Sequence, residues 1–189
     1  MTFNQLVLLV GALFPVPLAA QSITAKLQFN PIHVEESIPL SIGGSLEVGI
    51  SPKSSFQFSG LYRFDKQLSQ GIDRGPKYYL DYRYYPHLIQ QKNSGFYLSP
   101  YIGYGNLQLA EGDEPTGDVK SQRMEEMLTG FLIGYQPYKK SRLSIDLYAG
   151  PEYQWRTKKV AYATGQQSEL SLNRIWFRGG ISVCVRLKR

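Results

Sequence analysis

From Ile42 to Leu187 the chain alternates. Segment after segment puts an apolar or aromatic residue at every second position, with Gly, Ser or a charged residue between. Tyr78, Leu80, Tyr82 and Tyr84 interleave with Tyr79, Asp81, Arg83 and Tyr85; Leu143, Ile145, Leu147 and Ala149 interleave with Ser144, Asp146, Tyr148 and Gly150. Side chains along a strand point to opposite faces in turn, so each segment has one greasy face and one polar face carrying charges. A soluble sandwich or barrel buries the greasy face. A membrane barrel turns it to lipid and keeps the polar face in the lumen.

The pattern predicts eight strands, at 23–29, 42–50, 55–64, 77–85, 96–106, 127–136, 143–155 and 173–187. Most are nine residues or longer, the length of a tilted bilayer crossing. The connections between them are expected to alternate. Those at 30–41, 65–76, 107–126 and 156–172 are long, while 51–54 and 137–142 are short and 86–95 is intermediate. Short turns at one end and four long loops at the other define an up-and-down antiparallel barrel of the outer-membrane type.

The face assignment follows. Leu46, Phe58, Leu80, Ile102, Ile133, Ile145, Ile181 and Val183 lie on the apolar face. Glu47, Arg63, Asp81, Arg83, Asp146, Glu152, Arg178 and Arg186 lie on the other. Eight strands enclose little space, so side chains fill the interior, and charges placed there must pair. These eight residues are therefore expected to form a structural charge network in a plugged lumen. Phe56 and Tyr135 near short turns, and Tyr62, Phe64, Tyr104, Tyr153 and Trp155 near long loops, read as two interfacial girdles.

At the N-terminus, an apolar run from Leu6 to Ala20 followed by small residues reads as a signal peptide over 1–20, with the barrel domain at 21–189. Cleavage after Ala20 is the first choice and after Ser22 the second. The single cysteine, Cys184, excludes a disulfide framework and a thiolate metal cluster. The net charge of +6 is dispersed, which argues against nucleic-acid binding.

The stretches 43–62, 79–85 (Tyr-Leu-Asp-Tyr-Arg-Tyr-Tyr), 95–105 and 143–153 resemble small outer-membrane barrels of unknown function common in Bacteroidetes-type bacteria, akin in architecture to OmpA/OmpX-type barrels. The resemblance runs from about Lys26 to the C-terminus. It implies a Gram-negative outer-membrane location, with outer-membrane lipid, lipopolysaccharide and the barrel-assembly machinery as partners. It carries no catalytic residues, cofactor or metal. Many such barrels end on an aromatic residue; here the last four residues are Arg186, Leu187, Lys188 and Arg189.

His33 beside Glu35 and Glu36 is the only seed for a lipid esterase or deacylase, and no nucleophile motif accompanies it. His87 falls at the opposite end of the barrel. Glu111, Asp113, Glu114 and Asp118 read as a solvated acidic loop. Arg156, Lys158 and Lys159, just past Trp155, are candidates for contact with lipid phosphates. The expectation is an outer-membrane barrel with a structural or surface-interaction role and no enzymatic activity. Its rivals are the lipid-modifying enzyme and a soluble lipocalin-like binder of an apolar ligand, which needs the greasy face inside.

Overall fold

A computed structural model describes residues 22–30, 40–64, 74–86, 95–109, 119–137, 143–162, 164 and 166–188. Every element among them is a strand: β1 (Ser22–Asn30), β2 (Leu40–Ser51), β3 (Ser54–Phe64), β4 (Arg74–Tyr84), β5 (Gly95–Leu109), β6 (Val119–Gln136), β7 (Leu143–Tyr162) and β8 (Gln167–Lys188). Each pairs antiparallel with its neighbours in sequence, and β1 pairs with β8, closing an eight-stranded barrel. The fold class expected from the alternation is the one observed. The expected signal peptide lies outside the described residues.

The register gives the shear. A row of directly paired residues started at Gln28 passes through Gly43, Leu61, Lys77, Gly105, Glu126 and Arg156 to Leu172 on β8. Gln28 itself pairs with Ser182, ten residues further along that strand. A shear of ten on eight strands tilts them by about 40°.

Three strands are longer than the hydrophobic pattern suggests. β6 starts at Val119 instead of 127, β7 runs to Tyr162 instead of 155, and β8 starts at Gln167 instead of 173. The expected long loop at 156–172 is therefore replaced by a hairpin, with Tyr162 N–H donating to the Gln166 carbonyl at 3.0 Å across its tip. The physical reason is that neither face of this hairpin is buried. Residues 157–162 and 166–175 are half-exposed or exposed wherever described, so the period-two signal fades while the backbone ladder persists. Three longer connections, at 31–39, 65–73 and 110–118, remain at this loop end. At the turn end the β4–β5 connection, 85–94, is just as long, so the two-ended rhythm is only partial.

The rim is lopsided in consequence. β1 last pairs with β8 at Phe29 and Ile181, and among the described residues, 167–180 of β8 have β7 as their sole strand partner. The β6–β7–β8 sheet thus stands roughly 30 Å above the end of β1, a one-sided palisade.

Faces follow the expected parity. Leu46, Phe58, Leu80, Ile102, Ile133, Ile145, Ile181 and Val183 all lie on the outer surface and are exposed. Among the described residues the outer wall turns polar at Arg74, Asn106, Glu125, Thr157 and Asn173. Below these positions no outward strand side chain is charged. This apolar zone spans nine to thirteen residues per strand, roughly 20–30 Å of height. Tyr78, Tyr104, Tyr153 and Trp155 border it at the loop end, and Phe56, Tyr84, Phe96 and Tyr135 at the turn end.

Glycine makes the interior possible. Tyr79 lies directly across the ladder from Gly103, Tyr101 from Gly130, and Tyr97 from Gly134. A Cβ added to any of the three glycines would collide with the ring of its partner. Each phenol thus lies over a bare backbone, which lets large rings share a narrow lumen.

Candidate functional site

The barrel's chemistry is concentrated in its lumen, where buried charged side chains stack in three tiers. Nearest the turn end, Lys26 from β1, Glu47 from β2, Arg83 from β4 and Asp146 from β7 converge. Lys26 Nζ lies 2.8 Å from Asp146 Oδ2 and 2.5 Å from Glu47 Oε2, and donates to Gln136 Oε1 at 3.1 Å. Arg83 Nη1 donates to Asp146 Oδ2 at 2.7 Å and lies 3.7 Å from Glu47 Oε2. Phenols complete the shell. Tyr97 donates to Asp146 Oδ1 at 2.8 Å and Tyr85 to Glu47 Oε1 at 2.9 Å, and the Arg83 guanidinium lies 4.3 Å from the Tyr97 ring centre.

The middle tier is one ion pair in an aromatic cage. Arg178 Nη1 donates to Asp81 Oδ1 at 3.0 Å. The Arg178 guanidinium lies 3.8 Å from the Tyr79 ring centre, 4.4 Å from Tyr101 and 5.6 Å from Tyr148. Stacking on π faces offsets part of the desolvation that a buried guanidinium suffers.

In the upper tier, Glu126 of β6 receives two cations: Lys77 of β4 at 2.5 Å and Arg156 of β7 at 2.6 Å. Glu152 accepts from the Tyr101 hydroxyl at 3.0 Å and from the Gln154 amide, and Gln154 in turn accepts from Arg174 Nε at 2.9 Å. The Arg174 guanidinium lies 4.0 Å from the Trp176 ring centre. Arg63 is buried at this level.

Of the residues assigned to the lumen from sequence, Glu47, Arg63, Asp81, Arg83, Asp146, Glu152 and Arg178 are buried, and Arg186 is half-buried near the turn end. The candidates for lipid-phosphate contact divide. Arg156 turns inward onto Glu126, because its position on β7 shares parity with Glu152 and Gln154, so it does not face lipid. Lys158 is half-exposed on the palisade. Lys159 lies on the outer wall, 3.0 Å from Glu125 and 4.0 Å from Glu169. Hydrogen bonding to Glu125 raises the Lys159 ammonium above its usual pKa.

Lys26, Lys77 and Glu126 also line the lumen, beyond the residues expected there. Alternation could have found the first two, since Lys26 falls between Ala25 and Leu27, and Lys77 beside Tyr78, on strands whose outer faces are clear. Glu126 was hidden because β6 carries apolar residues on both faces, with Leu128 and Leu132 inside and Met127, Phe131 and Ile133 outside. His33, Glu35, Glu36, His87 and the acidic residues at 111–118 lie outside the described residues. Among those described, no group of three or more His, Cys, Asp or Glu side chains is placed to hold a metal ion.

A closed ring of eight antiparallel strands, polar within and apolar without, defines an up-and-down β-barrel with an inverted distribution of polarity. Its structure is similar to the crystal structure of the N-terminal β-barrel domain of Pseudomonas aeruginosa OprF. The TM-score is 0.50 at 11% sequence identity, and the match covers 88% of this chain and 97% of that one. At such low identity the likeness shows the fold. No family model matches the sequence, and no curated protein matches it either.

Proposed function

We propose that the chain is an integral outer-membrane barrel of a Gram-negative bacterium, with a structural or surface-interaction role, a plugged lumen and no enzymatic activity. The observation that carries this reading is the outer wall: an uncharged apolar zone bordered by aromatics at both ends, on a barrel whose buried ion pairs lie in the lumen. That height suits the hydrocarbon layer of an outer membrane. Residues 1–20 serve as the export signal in this reading, and the lipids of the membrane and its barrel-assembly machinery are the partners. The rival apolar-ligand binder needs the opposite distribution, with greasy residues inside.

The ion pairs crossing the lumen support a barrel that does not conduct. Its working part is then the palisade of β6–β8 with the connections beside it, displayed outside the cell by a rigid cylinder.

Site-directed spin labels test the placement. Labels at Leu80, Ile102, Ile145 and Ile181 in reconstituted bilayers are expected to be relaxed by a lipid-soluble agent, while labels at Asp81 and Asp146 are protected. The opposite pattern, or a protein that stays monomeric in plain buffer, would overturn the proposal.

A further inference from the structure

Among the described residues, the buried aromatic rings lie on one side of the lumen. They are Tyr79 on β4, Tyr85 just after it, Tyr97 and Tyr101 on β5 and Tyr148 on β7, with Leu128 and Leu132 of β6 between them. The facing arc, β8–β1–β2–β3, carries small polar side chains between the turn-end tier and the Asp81–Arg178 pair. Gln28 on β1 has Gly43 and Ser182 as its cross-strand neighbours, and Ser45 on β2 has Lys26 and Ser59. Gln57 on β3 donates its amide to the Ser59 hydroxyl at 3.0 Å and lies 3.5 Å from Asp81 Oδ2. Toward the turn end, Lys26 follows Gln28 and Glu47 follows Ser45 on the same face; toward the loop end, Arg178 and Gly180 follow Ser182. Charge tiers thus bound the arc on both sides.

Neighbouring residues of this arc keep buried polar atoms that the protein leaves unsatisfied. Gln28 is completely buried, and neither its Nε2 nor its Oε1 has a hydrogen-bond partner. The same holds for Ser45 Oγ, Gln57 Oε1 and Ser182 Oγ, and for Ser99 Oγ on β5 across the lumen. Buried polar groups in folded proteins are nearly all paired, so a contiguous patch of unpaired ones calls for an occupant. The chemistry of the patch selects it. Gln28 offers both an amide donor and a carbonyl acceptor, Gln57 offers an acceptor, and each serine hydroxyl can do either. A cation would meet the Gln28 amide with Lys26 beside it, and an anion would meet Glu47 and Asp81. An apolar occupant would satisfy none of the atoms. Water both donates and accepts, and the small side chains at Gly43, Ser45 and Ser182 leave it room.

We propose that Gln28, Ser45, Gln57 and Ser182 hold a closed cluster of buried water, on the order of two molecules, between the turn-end and middle charge tiers. Ion pairs bound it on both sides, so it is trapped water and not a conducting path. The cluster joins β8, β1, β2 and β3 on the side of the lumen that has no rings to fill it. It therefore braces the β1–β8 seam at which the barrel closes. It depends on the register inside the barrel and not on what surrounds the outer wall.

A crystal structure of the protein folded in detergent, at a resolution that shows ordered solvent, tests the cluster. Solvent peaks are expected within hydrogen-bond distance of Gln28 and of at least one of Ser45, Gln57 and Ser182. The double variant Ser45→Val, Ser182→Val puts methyl groups into the same space and should lose those peaks. An empty patch in the wild type, or a Gln28 side chain turned to bond Ser45 or Ser182 directly, overturns the proposal. So does a peak with the coordination of an ion, or a peak that persists unchanged in the double variant. Should the double variant not fold, oxygen-17 relaxation dispersion of the wild type in micelles decides. It registers intact water molecules held longer than the protein takes to tumble, and finding none overturns the cluster. A barrel that proved soluble in plain buffer would overturn the outer-membrane reading and leave this prediction as it stands.

Discussion

Asp81 and Arg178 meet across the full width of the barrel. β4 and β8 stand four strands apart in a ring of eight, and the two side chains still close to 3.0 Å between Oδ1 and Nη1. Such a pair ties opposite walls together as no ladder hydrogen bond can. Both groups are buried, so removing one leaves an uncompensated charge. Asp81→Asn or Arg178→Met is expected to destabilise the barrel by about 3–5 kcal/mol. The double variant should cost less than the sum of the singles. Urea unfolding in detergent, followed by tryptophan fluorescence, measures all three. Additive losses would show that the pair is not coupled.

The lumen was legible in sequence wherever one face of a strand is apolar and the other is not. Asp81 and Arg83 sit between Leu80, Tyr82 and Tyr84 and could only point inward. The partners of each charge were not legible, because they depend on shear. Asp146 meets Lys26 from β1 and Arg83 from β4, residues that nothing local connects to it. Tyr85 and Tyr148 fall with the polar positions of their strands, but that their hydroxyls and rings pack on the lumen charges was not legible, since a tyrosine suits either a lumen or an interface. The palisade failed for a different reason. A strand exposed on both faces has no hydrophobic period, so Thr157, Lys158 and Lys159 read as the start of a loop.

The tyrosine–glycine pairs make a second prediction. Gly134→Ala should destabilise by about 1–3 kcal/mol, because the new methyl group falls in the space of the Tyr97 ring. In a Tyr97→Ala background the same substitution should cost much less. Equilibrium unfolding of the four proteins in the cycle gives the coupling. An unchanged cost would mean that the ring is not what fills the space over Gly134.

Depth along the outer wall makes a third. Leu80 lies near the middle of the apolar zone, and Thr157 above its border. Leu80→Arg should lower the stability of the folded protein in lipid vesicles by about 2–4 kcal/mol, and Thr157→Arg by no more than about 1 kcal/mol. Urea titrations in vesicles compare them directly. Equal costs at the two positions would deny that the wall is graded by lipid.

The palisade gives the last prediction, one that separates a hairpin from the long loop its composition suggests. Residues 158–161 pair in register with 167–170, and 121–124 pair with 158–161, so these amides sit in a continuous three-stranded ladder. Paired amides exchange only when the ladder opens, whereas amides of a solvated loop exchange freely. Hydrogen–deuterium exchange by mass spectrometry should therefore show the backbone of 158–161 protected. On β8 protection should be uneven over 167–179. Amides bonded to β7 should exchange slowly, and those on the free edge, where β1 no longer pairs, quickly. Rapid exchange throughout 156–172 would return this segment to a loop.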